Sequence, residues 1–317
     1  MGTPEFAVAP LKKLIEHNYN VVAVVTVPDK PAGRGLKMQS SPVKQFAEEN
    51  NIPVLQPVKL NDEEFIESLK SINASLFIVV AFRKLPQVVW SLPSLGCFNL
   101  HASLLPRYRG AAPINRAVMN GETTTGVTTF FINEEIDTGK IIRQSELSID
   151  PDETAGEVHD RLMELGAELV VETTEAIFMN QFTAIDQNII ISQQTNLTEM
   201  KELKKAPKIF REDCKINWQL KSSVVHNFIR GLSPYPGAFG VLRTENGDKE
   251  VKVLRSRRTG ILSKESPGMV NVNGEQLYVA TEDYDLELLK LQPAGKKAMT
   301  SAEFIRGNKN KLLDFNG

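Results

Sequence analysis

Two apolar runs constrain the fold of this chain more than any other feature: VVAVVT from Val21 to Thr26 and ASLFIVVA from Ala74 to Ala81. Neither alternates apolar with polar residues, so neither suits a strand with one wet face. Both suit parallel strands buried on both faces of a sheet. Parallel strands need crossover connections, and helix signals lie where crossovers are required. Ser41-Pro42 opens a segment to about Asn50, with serine as N-cap and proline at the first helical position. Ile52–Leu55 reads as a short strand, Asn61-Asp62-Glu63-Glu64 as the start of a second helix, Gly96–His101 as a further strand and Pro113–Asn120 as a further helix. Val127–Ile132 and Lys140–Leu147 look antiparallel. A long helix is expected from Thr154 to about Asn180, its start carrying a usable cap in Asp152 to Thr154 followed by Glu157. The first part of the chain is therefore expected to be an α/β domain with a doubly wound, mostly parallel, Rossmann-like sheet.

One element of that pattern is missing. A doubly wound domain opens with a strand that leads into a glycine turn, whereas Met1-Gly-Thr-Pro-Glu-Phe6 begins at the turn itself. The expectation is a sheet without its first strand and with an unprotected face or edge. No GxGxxG motif supports dinucleotide binding. From about Asn188 to Ala206 the pattern dissolves into polar sequence with no apolar period, which reads as a linker over 189–204 between a catalytic domain, 1–188, and a second domain, 205–317. Beyond it come a helix near Lys221–Arg230 and five short strands: Ala238–Arg243, Glu250–Arg255, Gly268–Val272, Gln276–Ala280 and Leu286–Gln292. Turns such as Asn246-Gly247 and Asn273-Gly274 separate them. That is the pattern of a small, OB-like β-barrel.

Charge is spread unevenly over the 317 residues, whose formal net charge is only -2. From Thr198 onward there are 21 Lys+Arg against 15 Asp+Glu, while the first 197 residues hold 16 against 24. A basic second domain fits either a solvated lysine-rich surface or a polyanionic partner. No apolar run reaches the roughly twenty residues of a membrane span, and no basic segment followed by an apolar core opens the chain, so a cytoplasmic protein is expected. Cys97 and Cys214 have no metal-type spacing and read as reduced, buried thiols. The four histidines, His17, His101, His159 and His226, show no ligand spacing either, so no metal is expected.

The chemistry concentrates at Phe98-Asn-Leu-His-Ala-Ser-Leu-Leu-Pro106, where a hydrophobic strand breaks into a loop. Strand alternation sends Asn99 and His101 to one face. A second strand ends in the acidic turn Glu134-Glu-Ile-Asp-Thr-Gly139, which can bring Asp137 opposite them. An amide, an imidazole and a carboxylate suffice for acyl transfer to an amine. Asn99 and protonated His101 can donate to a developing oxyanion, and Asp137 can keep the imidazole charged and relay protons. No serine or cysteine is marked as a nucleophile, so direct attack is the simpler course. Singly, Asn99 could be a turn former and His101 a core histidine. Together, and followed by a loop with Arg107, Arg109 and Gly110, they read as a site.

With Ser103-Leu-Leu-Pro-Arg-Tyr-Arg-Gly-Ala-Ala-Pro113 added, the stretch resembles the signature of the folate-dependent formyltransferases. Met1-Gly-Thr-Pro-Glu-Phe-Ala-Val8, Pro28–Gly35, Lys208–Trp218, Ile229–Ala238 and Pro293–Lys297 are similar to the branch that formylates the methionine carried by initiator tRNA. The resemblance implies 10-formyltetrahydrofolate as co-substrate and formyl donor, initiator methionyl-tRNA as acceptor, a role in translation initiation and a monomeric enzyme. It implies catalysis by Asn99, His101 and Asp137, and folate contacts from Phe82, Ser103, Leu104, Leu105, Pro106, Glu135 and Ile136. The basic loop Asp29–Gln39 reads as a mobile surface segment on its own. The resemblance turns it into an acceptor-stem contact through Lys30, Arg34 and Lys37, with Arg230, Lys296 and Lys297 on tRNA phosphates. Phe82-Arg83-Lys84 departs from the pattern, in which a tyrosine-glycine pair follows the strand. A formyltransferase for a small amine, such as a nucleotide sugar or glycinamide ribonucleotide, shares the site without the basic second domain. A silent RNA-binding protein is the alternative from another class.

Overall fold

The buried runs do form the centre of a sheet. In the computed structural model, which describes residues 1–32, 37–195, 203–245, 247–308 and 312–316, Val24–Val25 pairs in parallel with Val54–Leu55. Phe77–Val80 pairs in parallel with Cys97–His101, with Val79 opposite Asn99. The sheet then turns mixed. Cys97–His101 runs antiparallel to Thr124–Phe131, where His101 faces Thr128, and Ile141–Ser148 forms the outer strand.

The expected loss of the first strand is met differently from the sequence reading. Met1 and Gly2 stitch the two parallel pairs together: the Gly2 N–H donates to Val25 O (3.0 Å), the Val80 N–H donates to Met1 O (2.9 Å), and Gly2 bridges Val80 in parallel. Glycine is required there, because a Cβ would sit 2.9 Å from Val80 O and 2.5 Å from the Ala7 Cβ. A cavity of about 440 Å³ follows beside these residues, walled by apolar groups such as Ala23, Val25, Leu69, Phe77 and Phe178.

Two compact units divide the chain, and neither is one continuous segment. The first comprises Met1–Gly110, Gly126–Leu147 and Asp160–Lys205, and the second Ala111–Thr125, Ser148–His159 and Ala206–Gly317. The long helix Ala155–Phe178 is closed at its start as expected: the Glu157 N–H donates to Thr154 Oγ1 (3.3 Å) and the Thr154 N–H to Glu157 Oε2 (2.8 Å). Within the first unit, its residue Gly166 lies against Leu100, where a Cβ would come within 2.8 Å of Leu100 Cδ2. Thr173 meets Thr129 through their hydroxyls (2.8 Å). The helix thus presses on the face of Cys97–His101 that carries Phe98 and Leu100, and Asn99 and His101 take the other face.

The stretch read as a linker is in part regular. Gln187–Thr195 is a helix whose Ile190 packs on Leu105, Phe130 and Ile141, so the described part of 189–204 begins as structure rather than as spacer. Residues 196–202 lie outside the described set.

In the second unit the strands run in the order Val270–Asn273, Gln276–Val279, Tyr284–Pro293, Gly247–Leu262, Ala238–Thr244 and Leu312–Asn316, each antiparallel to its neighbours in that order. Register shifts along Gly247–Leu262 let this 16-residue strand curl. The Phe315 N–H donates to Gly268 O (2.8 Å) and Met269 bridges Asp314, which nearly closes the barrel. Gly268 has φ +92°, and a Cβ there would meet Phe315 O at 2.7 Å. Trp218, Leu242, Leu288, Leu291, Phe304 and Phe315 fill the interior. No helix among the described residues is long and apolar enough to cross a membrane.

Candidate active site

His101 sits at the end of its strand, 7% exposed. Its Nε2 lies 2.9 Å from Tyr108 O. A carbonyl oxygen only accepts, so Nε2 carries a hydrogen and donates it. The other ring nitrogen, Nδ1, is left facing Asp137 Oδ2 at 3.8 Å. That separation is too long for a hydrogen bond and short enough for a strong charge interaction once the ring is protonated. Nδ1 is therefore the nitrogen that can gain or release a proton during a reaction. Asn99, two residues back on the same face, is half-buried, and its amide makes no hydrogen bond with any described residue. It is available to a ligand.

Asp137 is held from three directions. The Gly110 N–H donates to its Oδ2 (2.9 Å), its backbone takes the left-handed conformation (φ +57°), and the Gln187 Nε2 donates to its carbonyl (3.0 Å). The same Nε2 donates to Gly139 O (2.8 Å), while Gln187 Oε1 accepts from Arg109 Nε (3.0 Å) and Nη2 (2.6 Å). Two carbonyls on one side and a guanidinium on the other fix the orientation of that amide. Gln187 is 1% exposed. Burial lowers the Arg109 pKa, against the opposing pull of Asp137 and Glu135. Gly139 permits the turn, since a Cβ there would lie 1.6 Å from Phe131 O.

The loop after His101 is fastened from beneath. The Leu105 N–H donates to Thr128 Oγ1 (3.1 Å), whose hydroxyl donates to Ser103 O (2.6 Å). Gln144 Nε2 donates to Leu105 O and to Thr128 Oγ1, both at 2.9 Å. Ser103 Oγ donates to Arg107 O (2.8 Å). Among the expected folate contacts, Ser103, Leu105 and Pro106 are buried, and the Leu105 side chain belongs to a core cluster with Phe130 and Ile141. Their side chains shape the loop, and the Leu105 N–H and the Ser103 and Leu105 carbonyls are used within it. Leu104 is half-buried, with its side chain over Gly126. Phe82 is half-buried on the cluster that Ile132 also joins, and Glu135 and Ile136 are exposed beyond it, Ile136 by 60%. Ala81, just before Phe82, takes φ +47°, a conformation that favours glycine.

Among the described residues no group of three or more His, Cys, Asp or Glu could hold a metal ion. The family model described as formyl transferase matches residues 1–174, and the model of the formyl transferase C-terminal domain matches residues 208–309. A curated methionyl-tRNA formyltransferase of Bacteroides fragilis is 50% identical over 309 residues, 97% of this chain and 93% of that protein. One of Azobacteroides pseudotrichonymphae is 51% identical over 312 residues, 97% of this chain and 94% of that protein. The chain belongs to the methionyl-tRNA formyltransferase family. The solved sugar 3N-formyltransferase WlaRD, crystallised with dTDP and 5-N-formyl-THF, has the same fold at TM-score 0.62 and 22% identity, over 93% of this chain and 97% of its own. The N-formyltransferase of Helicobacter canadensis, solved with folinic acid and dTDP-3-aminofucose, gives 0.61 and 22%, over 90% and 96%.

Of the residues expected on the RNA side of this formyltransferase, Lys30 is exposed at the base of a hairpin, Lys30–Ala32 against Lys37–Gln39. Asp29 anchors that base by pairing with Lys44 (2.7 Å) and accepting from Gln56 (2.8 Å). Arg34 and the Lys37 side chain lie outside the described residues. Lys296 and Lys297 are exposed just after the strand Tyr284–Pro293.

Arg230 is a correction. It is 5% exposed, and its guanidinium donates to Glu153 O (2.9 Å), Asp150 O (3.4 Å) and Asn227 Oδ1 (2.8 Å), so it ties a turn together and presents nothing to a phosphate. Its neighbour His226, 2% exposed, donates through Nε2 to Pro151 O (3.2 Å) and meets Ser256 Oγ at Nδ1 (3.0 Å). Burial pulls its pKa below the usual 6.5, outweighing Pro151 O and the exposed Asp152, while Arg230 and Arg258 push the same way as burial. The unfolded chain then binds a proton at a higher pH than the folded one. Stability present above pH 6.5 is lost as pH falls from there towards the folded-state value. His226→Gln is expected to flatten that decline, as read by urea midpoints between pH 5 and 7.5; an unchanged slope would show that His226 does not cause it.

Proposed function

We propose that this chain transfers the formyl group of 10-formyltetrahydrofolate to the α-amino group of methionine on initiator methionyl-tRNA, by direct attack. The near-full-length identity of about 50% to methionyl-tRNA formyltransferases carries the acceptor; the approach of Asp137 to His101 at 3.8 Å supports the chemistry. In this reading the neutral amine forms a bond to the formyl carbon, and the carbonyl oxygen gains the negative charge. The Asn99 amide and the protonated Nδ1 of His101 stabilise that oxygen. The intermediate collapses as N10 of the folate departs, and the proton lost by the amine returns to N10 through Asp137 and the imidazole. The Nε2–H bond to Tyr108 O keeps the ring from turning while Nδ1 changes its protonation.

The donor site in this reading uses Phe82 and the Asn133–Asp137 turn. A half-buried aromatic with an exposed isoleucine and glutamate beyond it suits a flat heteroaromatic ring bearing hydrogen-bond donors. The basic loop with Lys30, Arg34 and Lys37, together with Lys296 and Lys297, would hold RNA phosphates, so binding should weaken with salt. The enzyme acts as a monomer in the cytoplasm, at the initiation of translation.

The test is acceptor choice. The donor is offered with initiator methionyl-tRNA, with glycinamide ribonucleotide or with a dTDP-linked amino sugar, and formylated product is quantified. Methionyl-tRNA should give the highest kcat/KM of the three, and a preference for either small amine would sink this reading while keeping the fold.

A further inference from the structure

A second cavity of about 440 Å³ lies within the second unit, and none of its lining residues has been given a catalytic, folate or RNA-contact role above. Its size falls in the range of sites for small molecules, roughly 300–1,000 Å³. Its walls combine two kinds of group. Tyr235 is 81% exposed and Phe210 51% exposed, and Phe239 is half-buried beside them. Lys208, Arg211 and Lys252 bring three cations against one carboxylate, Glu250.

The cations already lie against rings or are partly spent. Lys208 Nζ is 5.2 Å from the Phe210 ring centre, and the Arg211 guanidinium is 5.7 Å from that of Phe239. Arg211 pairs with Glu250 (2.7 Å), and Lys252 donates to Pro236 O (2.7 Å). Lys208 has no anionic partner among the described residues. A lone exposed aromatic means little. Here exposed aromatic side chains share the wall of one cavity with surplus positive charge, which matches a flat base carrying a phosphate.

We propose that this cavity is a nucleotide subsite, with a base stacked on Tyr235 beside Phe210 and its phosphate on Lys208 and Arg211. The inference rests on the tRNA reading above and deepens it: the occupant is an unpaired nucleotide of the acceptor RNA, since only an unpaired base offers its face to an aromatic ring. Tyr235 supplies the stack, and Lys208 supplies a charge sensitive to salt.

The experiment uses the full chain and a labelled single-stranded RNA tetranucleotide, followed by fluorescence anisotropy, alongside steady-state transfer to methionyl-tRNA. Tyr235→Ala is expected to weaken tetranucleotide binding, and to raise KM for methionyl-tRNA at nearly constant kcat, by about 5- to 140-fold, the loss of one base–aromatic stack. Tyr235→Phe, which keeps the ring, should stay within about twofold of the parent. Lys208→Ala should reduce the salt slope of tetranucleotide binding by about 0.7, the single-strand value for one phosphate. Tetranucleotide binding unchanged in Tyr235→Ala overturns the subsite. If methionyl-tRNA proves not to be an acceptor and Tyr235→Ala still loses the tetranucleotide, the subsite stands and the acceptor reading falls. Normal transfer with normal KM in Tyr235→Ala overturns the subsite alone.

Discussion

His101→Ala is expected to lower kcat for formyl transfer by about 10²- to 10⁴-fold, the range for losing a positioned acid–base group, while folate binding stays measurable. The imidazole has one nitrogen fixed on Tyr108 O and the other 3.8 Å from Asp137 Oδ2, so removing it takes away both an oxyanion donor and the path to the carboxylate. Asp137→Asn should act on the same step. An asparagine oxygen can still accept from the Gly110 N–H, so the turn keeps its shape, but the side chain cannot take a proton. Its loss should be of similar size, and the double variant should be little worse than either single one, as expected for residues acting as a unit. Single-turnover rates with equilibrium folate binding check this; full transfer in His101→Ala would remove the imidazole from the chemistry.

The second large effect is expected at Gln187, which touches no reacting atom. Its amide donates to Asp137 O and Gly139 O and accepts from Arg109, all in a buried setting. Gln187→Glu keeps an acceptor for Arg109 and turns the donor towards the two carbonyls into a second acceptor. The turn that carries Asp137 should then open. A displacement of about 1 Å at a catalytic group can cost about 10²-fold in rate, so kcat should fall by about that factor with KM for methionyl-tRNA little changed. Stability should drop by about 1–3 kcal/mol for the unpaired carbonyls. Denaturant midpoints and kcat measured on the same preparation separate the two effects. Unaltered kcat would mean that Gly110 and the left-handed backbone suffice to hold Asp137.

Much of the first unit was legible because its signals are local. VVAVVT and ASLFIVVA have the composition of buried parallel strands, Ser41-Pro42 and Thr154 with Glu157 carry their caps in adjacent residues, and alternation alone sets Asn99 and His101 on one face. What escaped depends on distant pairing. Met1 and Gly2 join two strands through single backbone bonds to Val25 and Val80, and two residues make no pattern. The barrel strand Leu312–Asn316 is defined by its partners in Ala238–Thr244 and by Gly268. Gln187 stands at the head of a polar helix, QNIIISQQT, with no strong apolar face, so nothing in the sequence marks this residue as buried or sets the residues from Asn188 on apart from a spacer.

Arg230 was legible and misread. In Ser222–Gly231 the buried residues include Val225, His226, Ile229 and Arg230, a face at helical spacing that marks the arginine as inward. Basic charge alone suggested phosphate, whereas periodicity pointed to the turn it ties. The loop expected to contact folate shows the same distinction: Ser103, Leu105 and Pro106 carry the resemblance, yet their side chains are used in shaping the loop around Thr128 and Gln144. A motif can mark a site through residues that build it rather than through residues that touch the ligand.

The most direct measurement is a chemically quenched single turnover with formyl-labelled 10-formyltetrahydrofolate and initiator methionyl-tRNA. The label is expected to pass to the methionine α-amino group within one turnover, with none on protein at any time and none transferred when the acceptor is left out. Label that stays on the folate with methionyl-tRNA yet moves to an amino sugar, or label that first accumulates on the protein, would contradict the account.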